Sequence, residues 1–343
     1  MKPTLTFLLS LFLPLLIKAQ QNPEVFLIEI DAGLNLSNPK NISQNPGYDN
    51  QPSFLNDSTL LFSSNKNNQT DVLQFQVGSG SKKWLTNTPQ SEYSPLKIPK
   101  KEAISAIGLQ TLVISNIKKK TNKVADSVIG RSLHRIPNTS LISYISKKEK
   151  QWQIRSLEPK TGKTTFVANT LEGVEDMCWL PNGSILMAKN TSIFQLNPKT
   201  GQGWKPLFDA ADYGLKNITR LTVNQSQTKL ALVAEENPEY IVQKQLDAYN
   251  ARDIEAFLAT YTDDAELFMF PATPLSKGKE AMRQTYNPMF QNAPDLFCEI
   301  KNRTVLGNKV IDEEYVRFNG QFLSAIAIYE VENNKISKVT FIQ

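Results

Sequence analysis

Lys309-Val310-Ile311-Asp312-Glu313-Glu314-Tyr315-Val316-Arg317-Phe318-Asn319-Gly320-Gln321-Phe322-Leu323-Ser324-Ala325-Ile326-Ala327-Ile328-Tyr329 is a pair of apolar-alternating runs around Asn-Gly, the strongest short hairpin signal a sequence offers. Working outward, strands are expected at 297–306, 309–318, 322–331 and 335–342, with further turns at Gly307-Asn308 and Asn333-Asn334. Successive side chains on a strand point to opposite faces, so Glu313 is turned away from Asp312 and Glu314. Acidic residues on an edge strand are ordinarily solvated. A carboxylate turned instead into an apolar cavity would have its pKa raised and could act as a base.

On the N-terminal side of these strands the period changes from 2 to 3.6. Pro238 can open a helix with Ile241, Val242, Gln245, Leu246 and Tyr249 on one face. Asn250-Ala251-Arg252-Asp253 breaks it, and Asp253 caps a second helix running through Tyr261. A short strand at 266–270 is stopped by Pro271 and Pro274, and Ser276-Lys277-Gly278 opens a third helix at 279–290. Residues 237–343 therefore read as an α+β cone, three helices on a curved antiparallel sheet.

Four runs carry a resemblance: 243–253, 261–266, Lys277-Gly278-Lys279-Glu280-Ala281-Met282 and Ala327-Ile328-Tyr329-Glu330-Val331. In content and order they closely resemble the SnoaL-like branch of the nuclear transport factor 2-like superfamily, which includes the ketosteroid isomerases. The resemblance implies a Tyr and a protonated Asp holding a developing enolate while another Asp moves the proton. At the matching positions stand Gln245, Met269 and Ala327, so that route is expected to be lost and no catalytic residue is assigned. Gln245 could still hydrogen-bond a ligand carbonyl. The other interior side chains either fill a core or line a pocket for a small apolar or aromatic ligand. The candidate pocket residues are Gln245, Tyr249, Tyr261, Met269, Tyr286, Glu314 and Tyr329.

The first half repeats. Anchors at Phe54, Leu96, Ile136, Trp179 and Thr222 are spaced by 40 to 43 residues, each followed by short strand-like runs and turns such as Asn197-Pro198-Lys199-Thr200-Gly201. Trp84-Leu85-Thr86 reads as the restart of one such unit. Four short strands per unit is the pattern of a β-propeller blade. Asp49-Asn50-Gln51-Pro52-Ser53-Phe54 through Leu61-Phe62-Ser63-Ser64, and Glu92-Tyr93-Ser94-Pro95, resemble the TolB-like, WD-type propeller repeats of bacterial secreted proteins. The expected organisation is an all-β propeller of about five recognisable blades over residues 20–236, followed by the cone. Strands at 25–30 and 229–234 could pair to close the circle.

Residues 1–19 read as a secretory signal peptide: Lys2, an apolar stretch, then Lys18-Ala19-Gln20. That stretch would span only ~20 Å as a helix, against ~30 Å of bilayer hydrocarbon. The formal charge of +5 hides an asymmetry, since residues 237–343 hold 11 Lys+Arg against 15 Asp+Glu, a net −4 that leaves +9 before them. The lysine clusters of the first half lack interleaved aromatics and arginines, so solvated turns explain them better than a nucleic-acid groove. Two cysteines 120 positions apart make no disulfide scaffold or thiolate cluster, and a single histidine, His134, makes no multi-histidine metal site. His134 is expected to be structural, and Asp263-Asp264 a surface or capping pair rather than a metal site.

The expectation is a secreted or periplasmic binding protein with no cofactor, no metal and no nucleic acid. Its propeller face would grip an unknown protein partner, and its cone would bind a small molecule or form a homodimer through the C-terminal sheet. The alternative is a divergent isomerase, cyclase or hydrolase acting in the cone.

Overall fold

The computed structural model describes residues 23–343 apart from 32, 34, 38, 46, 68, 88, 98–102, 109–110, 117–120, 128–130, 159–160 and 162; within 97–131, and at 133, it describes backbone alone. The expected signal peptide lies outside the described residues.

The first half is five four-stranded antiparallel sheets. The first contains Asp49–Asn56, Thr59–Lys66, Gln69–Gln76 and Lys82–Trp84; the second Tyr93–Lys97, Ala103–Gly108, Thr111–Asn116 and Thr121–Ser127. Arg131–Arg135, Ile142–Lys148, Gln151–Leu157 and Thr164–Asn169 make the third, and Cys178–Trp179, Ile185–Lys189, Ser192–Leu196 and Lys205–Asp209 the fourth. The fifth is composite: Leu215–Val223 and Lys229–Glu236 are joined by Glu24–Glu29 and Lys40–Asn41 from the start of the chain. The expected pairing of the two distant strands is present, with Val25 opposite Val233. Phe54, Leu96, Trp179 and Thr222 lie in the first strands of their sheets, and Ile136 one residue beyond the first strand of the third. First strands touch one another: 215–223 meets 49–56 and 178–179, and 49–56 also meets 93–97. Trp84 does not restart a unit. It ends the first sheet, pairing with Leu73 and packing on the core formed by Phe62 and Phe75.

Buried polar groups fasten the sheets. Asp176 accepts from Ser132 Oγ (2.9 Å) and from the Leu221 backbone N–H (3.1 Å), joining the third sheet to the fifth. His134 Nε2 lies 3.0 Å from Ser132 Oγ. Because Ser132 gives its proton to Asp176, the imidazole N–H donates to Ser132 and does not activate it, a structural role.

Asp49 is buried, and neither carboxylate oxygen is in hydrogen-bonding geometry. Burial pushes its pKa up to about 7, with Glu24 adding to the rise and Ser64, Lys82 and Asn45 opposing it. The folded form thus holds a proton that the unfolded chain has lost, so this residue's contribution to stability falls as pH rises from about 4 to about 7 and stays low above. Asp49→Asn is expected to raise the midpoint of thermal unfolding at pH 8, by the equivalent of roughly 2–4 kcal/mol, and to change it little at pH 4. Parallel melting curves for the two proteins across that range would contradict the assignment.

The second half begins with three helices: α1 (Pro238–Ala251), α2 (Ile254–Ala259) and α3 (Gly278–Asn292). Pro238 occupies the first turn of α1, where a missing N–H costs nothing, and Arg252 in the left-handed region closes it. Asp253 caps α2 by accepting from the Ala256 N–H at 3.0 Å. The helices lie on a six-stranded sheet in the order Thr273–Lys277, Tyr261–Met269, Lys335–Ile342, Gln321–Glu332, Lys309–Phe318, Phe297–Leu306.

Three expectations are corrected here. The sheet is mixed, because Tyr261–Met269 runs parallel to Lys335–Ile342. Tyr261 opens that strand rather than ending α2: the Ile336 N–H bonds the Thr260 carbonyl at 2.9 Å, and Tyr261, Ala265 and Leu267 turn into the core. Pro274 does not end the sheet, since its strand is an edge, where an absent N–H leaves no partner unsatisfied.

The two halves meet where the Asn333-Asn334 turn reaches the end of the fifth sheet. The Asn334 N–H donates to Glu236 (3.0 Å) and its side chain to the Tyr213 carbonyl (3.4 Å). Tyr240 of α1 donates to the Asp212 carbonyl and covers Gly214, whose φ of +73° and 2.5 Å clearance between a built Cβ and the Tyr240 ring leave room for glycine alone.

Candidate functional site

The Asn319-Gly320 turn, with φ of +49° and +75°, fixes the hairpin register and places Glu314 opposite Ala325 and Asp312 opposite Ala327. All four point to the concave face with Val310, Val316, Leu323 and Tyr329. Along this face burial falls off toward the turn: Ala327 is 0% exposed, Ala325 8% and Leu323 46%. The deep end is packed core and the shallow end is a mouth.

Between them is a cavity of about 440 Å³, within the usual range for small-molecule sites. Gln245 and Tyr249 reach it from α1, Tyr286 and Met289 from α3, and Met269 from the strand before the cis Phe270-Pro271 bond. Cys298 reaches it from the edge strand, where a paired hydrogen bond with the Asn250 side chain (2.7 and 2.9 Å) fastens α1 to the sheet.

The expectation that the acidic strand is a solvated edge is corrected. Lys309–Phe318 has a neighbour on either side, and both of its concave-face carboxylates are buried. Asp312 is held by Arg303 in a two-point bond, 2.7 Å at each oxygen, and Arg303 also donates to Gln243 on α1 (2.9 Å). Glu314 has no such cation. Its Oε1 accepts from the Tyr329 hydroxyl at 2.8 Å, and burial pushes its pKa up to about 7, opposed by that hydrogen bond and by Arg303 and reinforced by Asp312. A carboxyl near half-ionisation at neutral pH can give or take a proton. Among the described residues no Lys, Arg or His lines the cavity.

Of the candidate residues, Gln245, Tyr249, Met269, Tyr286, Glu314 and Tyr329 are brought together around this cavity. Tyr261 is not. It lies fully buried behind the wall, beside Phe257 and hydrogen-bonded to Gln245, so that glutamine is partly engaged already. Ala327 is packed core. Sequence reasoning missed Val316, Leu323 and Ala325, which strand parity and the hairpin register together could have found. It also missed Cys298, for which no local signal exists. Asp263 pairs with Lys279 at 2.8 Å on the surface.

The family model for the SnoaL-like domain matches residues 242–339. The C-terminal part is a SnoaL-like domain. Similar solved structures cover this part alone. A cystatin-fold protein of Novosphingobium aromaticivorans is 26% identical over 31% of this chain and 97% of its own, with a TM-score of 0.30. A SnoaL-like protein of Burkholderia thailandensis is 20% identical over 30% and 91%, with a TM-score of 0.27. An LEH-like epoxide hydrolase of M. tuberculosis is 15% identical over 31% and 80%, with a TM-score of 0.28. No curated protein matches the chain. The SnoaL-like domain carries nothing at the positions of Gln245, Met269 and Ala327 that could perform the isomerase proton shuttle, and its one poised acid, Glu314, stands elsewhere.

Proposed function

We propose that this is a secreted or periplasmic binding protein whose SnoaL-like domain holds a small apolar or aromatic ligand in the cavity beneath α1 and α3. The observation that carries the reading is the cavity itself: about 440 Å³, apolar at its mouth, with a single buried carboxylate inside it. The five sheets of residues 20–236 are read as the blades of a propeller, a platform that brings loops from several blades to one face for a protein partner. Their four-stranded repetition and the composite fifth sheet support that reading. Phe297, Phe322 and Ile326, exposed on the outer face of the C-terminal sheet, are where a second copy would pair, and sedimentation of the full chain would read this out.

A second reading has a specific observation behind it. Glu314, with its raised pKa and its Tyr329 hydrogen bond, is equipped for acid–base chemistry, so a divergent isomerase, cyclase or hydrolase acting in the same cavity is the alternative. One experiment addresses both readings. A thermal-shift screen of the full chain against steroids, polyketides and aromatic amines, alcohols and acids should give at least one ligand that raises the unfolding midpoint. Ala325→Trp, which fills the cavity, should abolish the shift. No shift from any class, or a shift unchanged in Ala325→Trp, would overturn the pocket. Substrate turnover that vanishes in Glu314→Gln while binding persists would select the enzyme.

A further inference from the structure

Resting on the reading of this cavity as a ligand pocket, we infer that its ligand is an apolar amine, bound as the ammonium with its charge against Glu314 and its hydrocarbon body toward the mouth. The argument starts from the charges. Asp312, two residues away on the same strand face, is fully matched by Arg303. Glu314 is matched by nothing: its one hydrogen-bond donor is the neutral Tyr329 hydroxyl, and no cationic side chain lines the space in front of it.

A carboxylate out of water without a counter-charge is costly, and the protein meets that cost by holding the proton. A ligand that brought its own positive charge would remove the cost and favour the ionised form. A ligand carboxylate would do the reverse, setting a second negative charge beside the first.

The walls agree with this assignment. Tyr249 and Tyr286 stand edge to face, ring centres 6.5 Å apart, and with Tyr329 they give the cavity three aromatic faces. Aromatic faces attract ammonium groups, by ~0.5–2 kcal/mol each depending on solvent exclusion. The other titratable groups near Glu314 are Cys298 and Tyr261, both raised by burial and both neutral at physiological pH, so neither competes for the cation. The body of the ligand meets Leu275, Phe318 and Leu323 at the mouth. The net −4 of residues 237–343, beside +9 for the rest, also favours a cation at this half of the chain.

Isothermal titration of the full chain with three probes of one skeleton tests the inference: naphthylethylamine, naphthylethanol and naphthylacetate. At pH 8 the amine is expected to bind at least tenfold tighter than the alcohol, and the acid weakest. Because Glu314 ionises near pH 7, amine affinity should fall by about tenfold between pH 8 and pH 6 while alcohol affinity stays level. In Glu314→Gln the amine should lose its advantage and the alcohol should bind as before. An alcohol that matches or exceeds the amine in the unaltered protein overturns the amine and leaves the pocket standing. An amine advantage that survives in Glu314→Gln overturns the role of Glu314 and with it the inference. Failure of all three probes to bind counts against the pocket itself.

Discussion

Arg303→Met is expected to be among the most destabilising single substitutions in the C-terminal part, costing about 3–5 kcal/mol. The reason is what it leaves behind. Asp312 is 1% exposed and receives both of its short bonds from this guanidinium, so removing the cation strands a charge in the core. It also cuts the bond to Gln243 that ties the edge strand to α1. Amide exchange in Lys309–Phe318 reads the effect locally and should accelerate by roughly two to three and a half decades, at about 1.4 kcal/mol per tenfold.

A control separates lost charge from lost packing. Replacing both partners, Arg303→Met with Asp312→Leu, removes the stranded charge and should recover most of the stability. All four tryptophans, Trp84, Trp152, Trp179 and Trp204, lie in the first half, so their fluorescence transition should stay in place while exchange in the second half moves. Single-variant exchange within threefold of the unaltered protein would show that Arg303 is a surface partner rather than a structural one.

The same hairpin explains what could be read in advance. Asn319-Gly320 announces a two-residue turn, and a two-residue turn fixes every cross-strand pair, so the strands of 297–342 were legible nearly to the residue. The helices followed from a 3.6 period with Pro238 and Asp253 as starts. The parallel pairing of Tyr261–Met269 with Lys335–Ile342 was not legible, because no local pattern joins segments about seventy residues apart. For the same reason the acidic strand was taken as an edge: its burial depends on the strands on either side of it, a tertiary fact.

The site was legible in part. Parity put Asp312 and Glu314 on one face, and register set each of them against an alanine, Ala327 and Ala325. A carboxylate facing a methyl group leaves either a void or a cavity. Arg303 fills the first position; at the second the space stays open. Which of the two acids would receive the arginine is decided by the pairing of Phe297–Leu306, whose register shifts by one residue between Ile300 and Asn302 and so brings Arg303 opposite Asp312. That irregularity has no sequence signature. In the first half, the repeat spacing foretold five first strands, while Trp84 went astray because an aromatic can end one sheet as readily as begin the next.

Phe257→Ala should rival the loss of Arg303, at about 3–5 kcal/mol, by a different route. Phe257 is 0% exposed and its ring meets four others, with centre distances of 4.7 Å to Tyr286, 5.1 Å to Tyr261, 5.5 Å to Phe290 and 6.1 Å to Tyr249. Truncation removes the transfer energy of the ring, opens a void among side chains too large to collapse into it, and forfeits edge and tilted contacts of ~0.5–1.5 kcal/mol apiece. The consequence reaches the ligand cavity, since Tyr249 and Tyr286 line it from the front and rest on Phe257 behind. Amide exchange in α1 and α2 should accelerate together, and any ligand found for the cavity should weaken at least tenfold although Phe257 does not touch it. Phe257→Leu, which keeps most of the volume and no ring, should recover at least half of the stability and most of the binding. Equal losses for Ala and Leu would show that ring-to-ring contact, rather than filled volume, holds the wall in place.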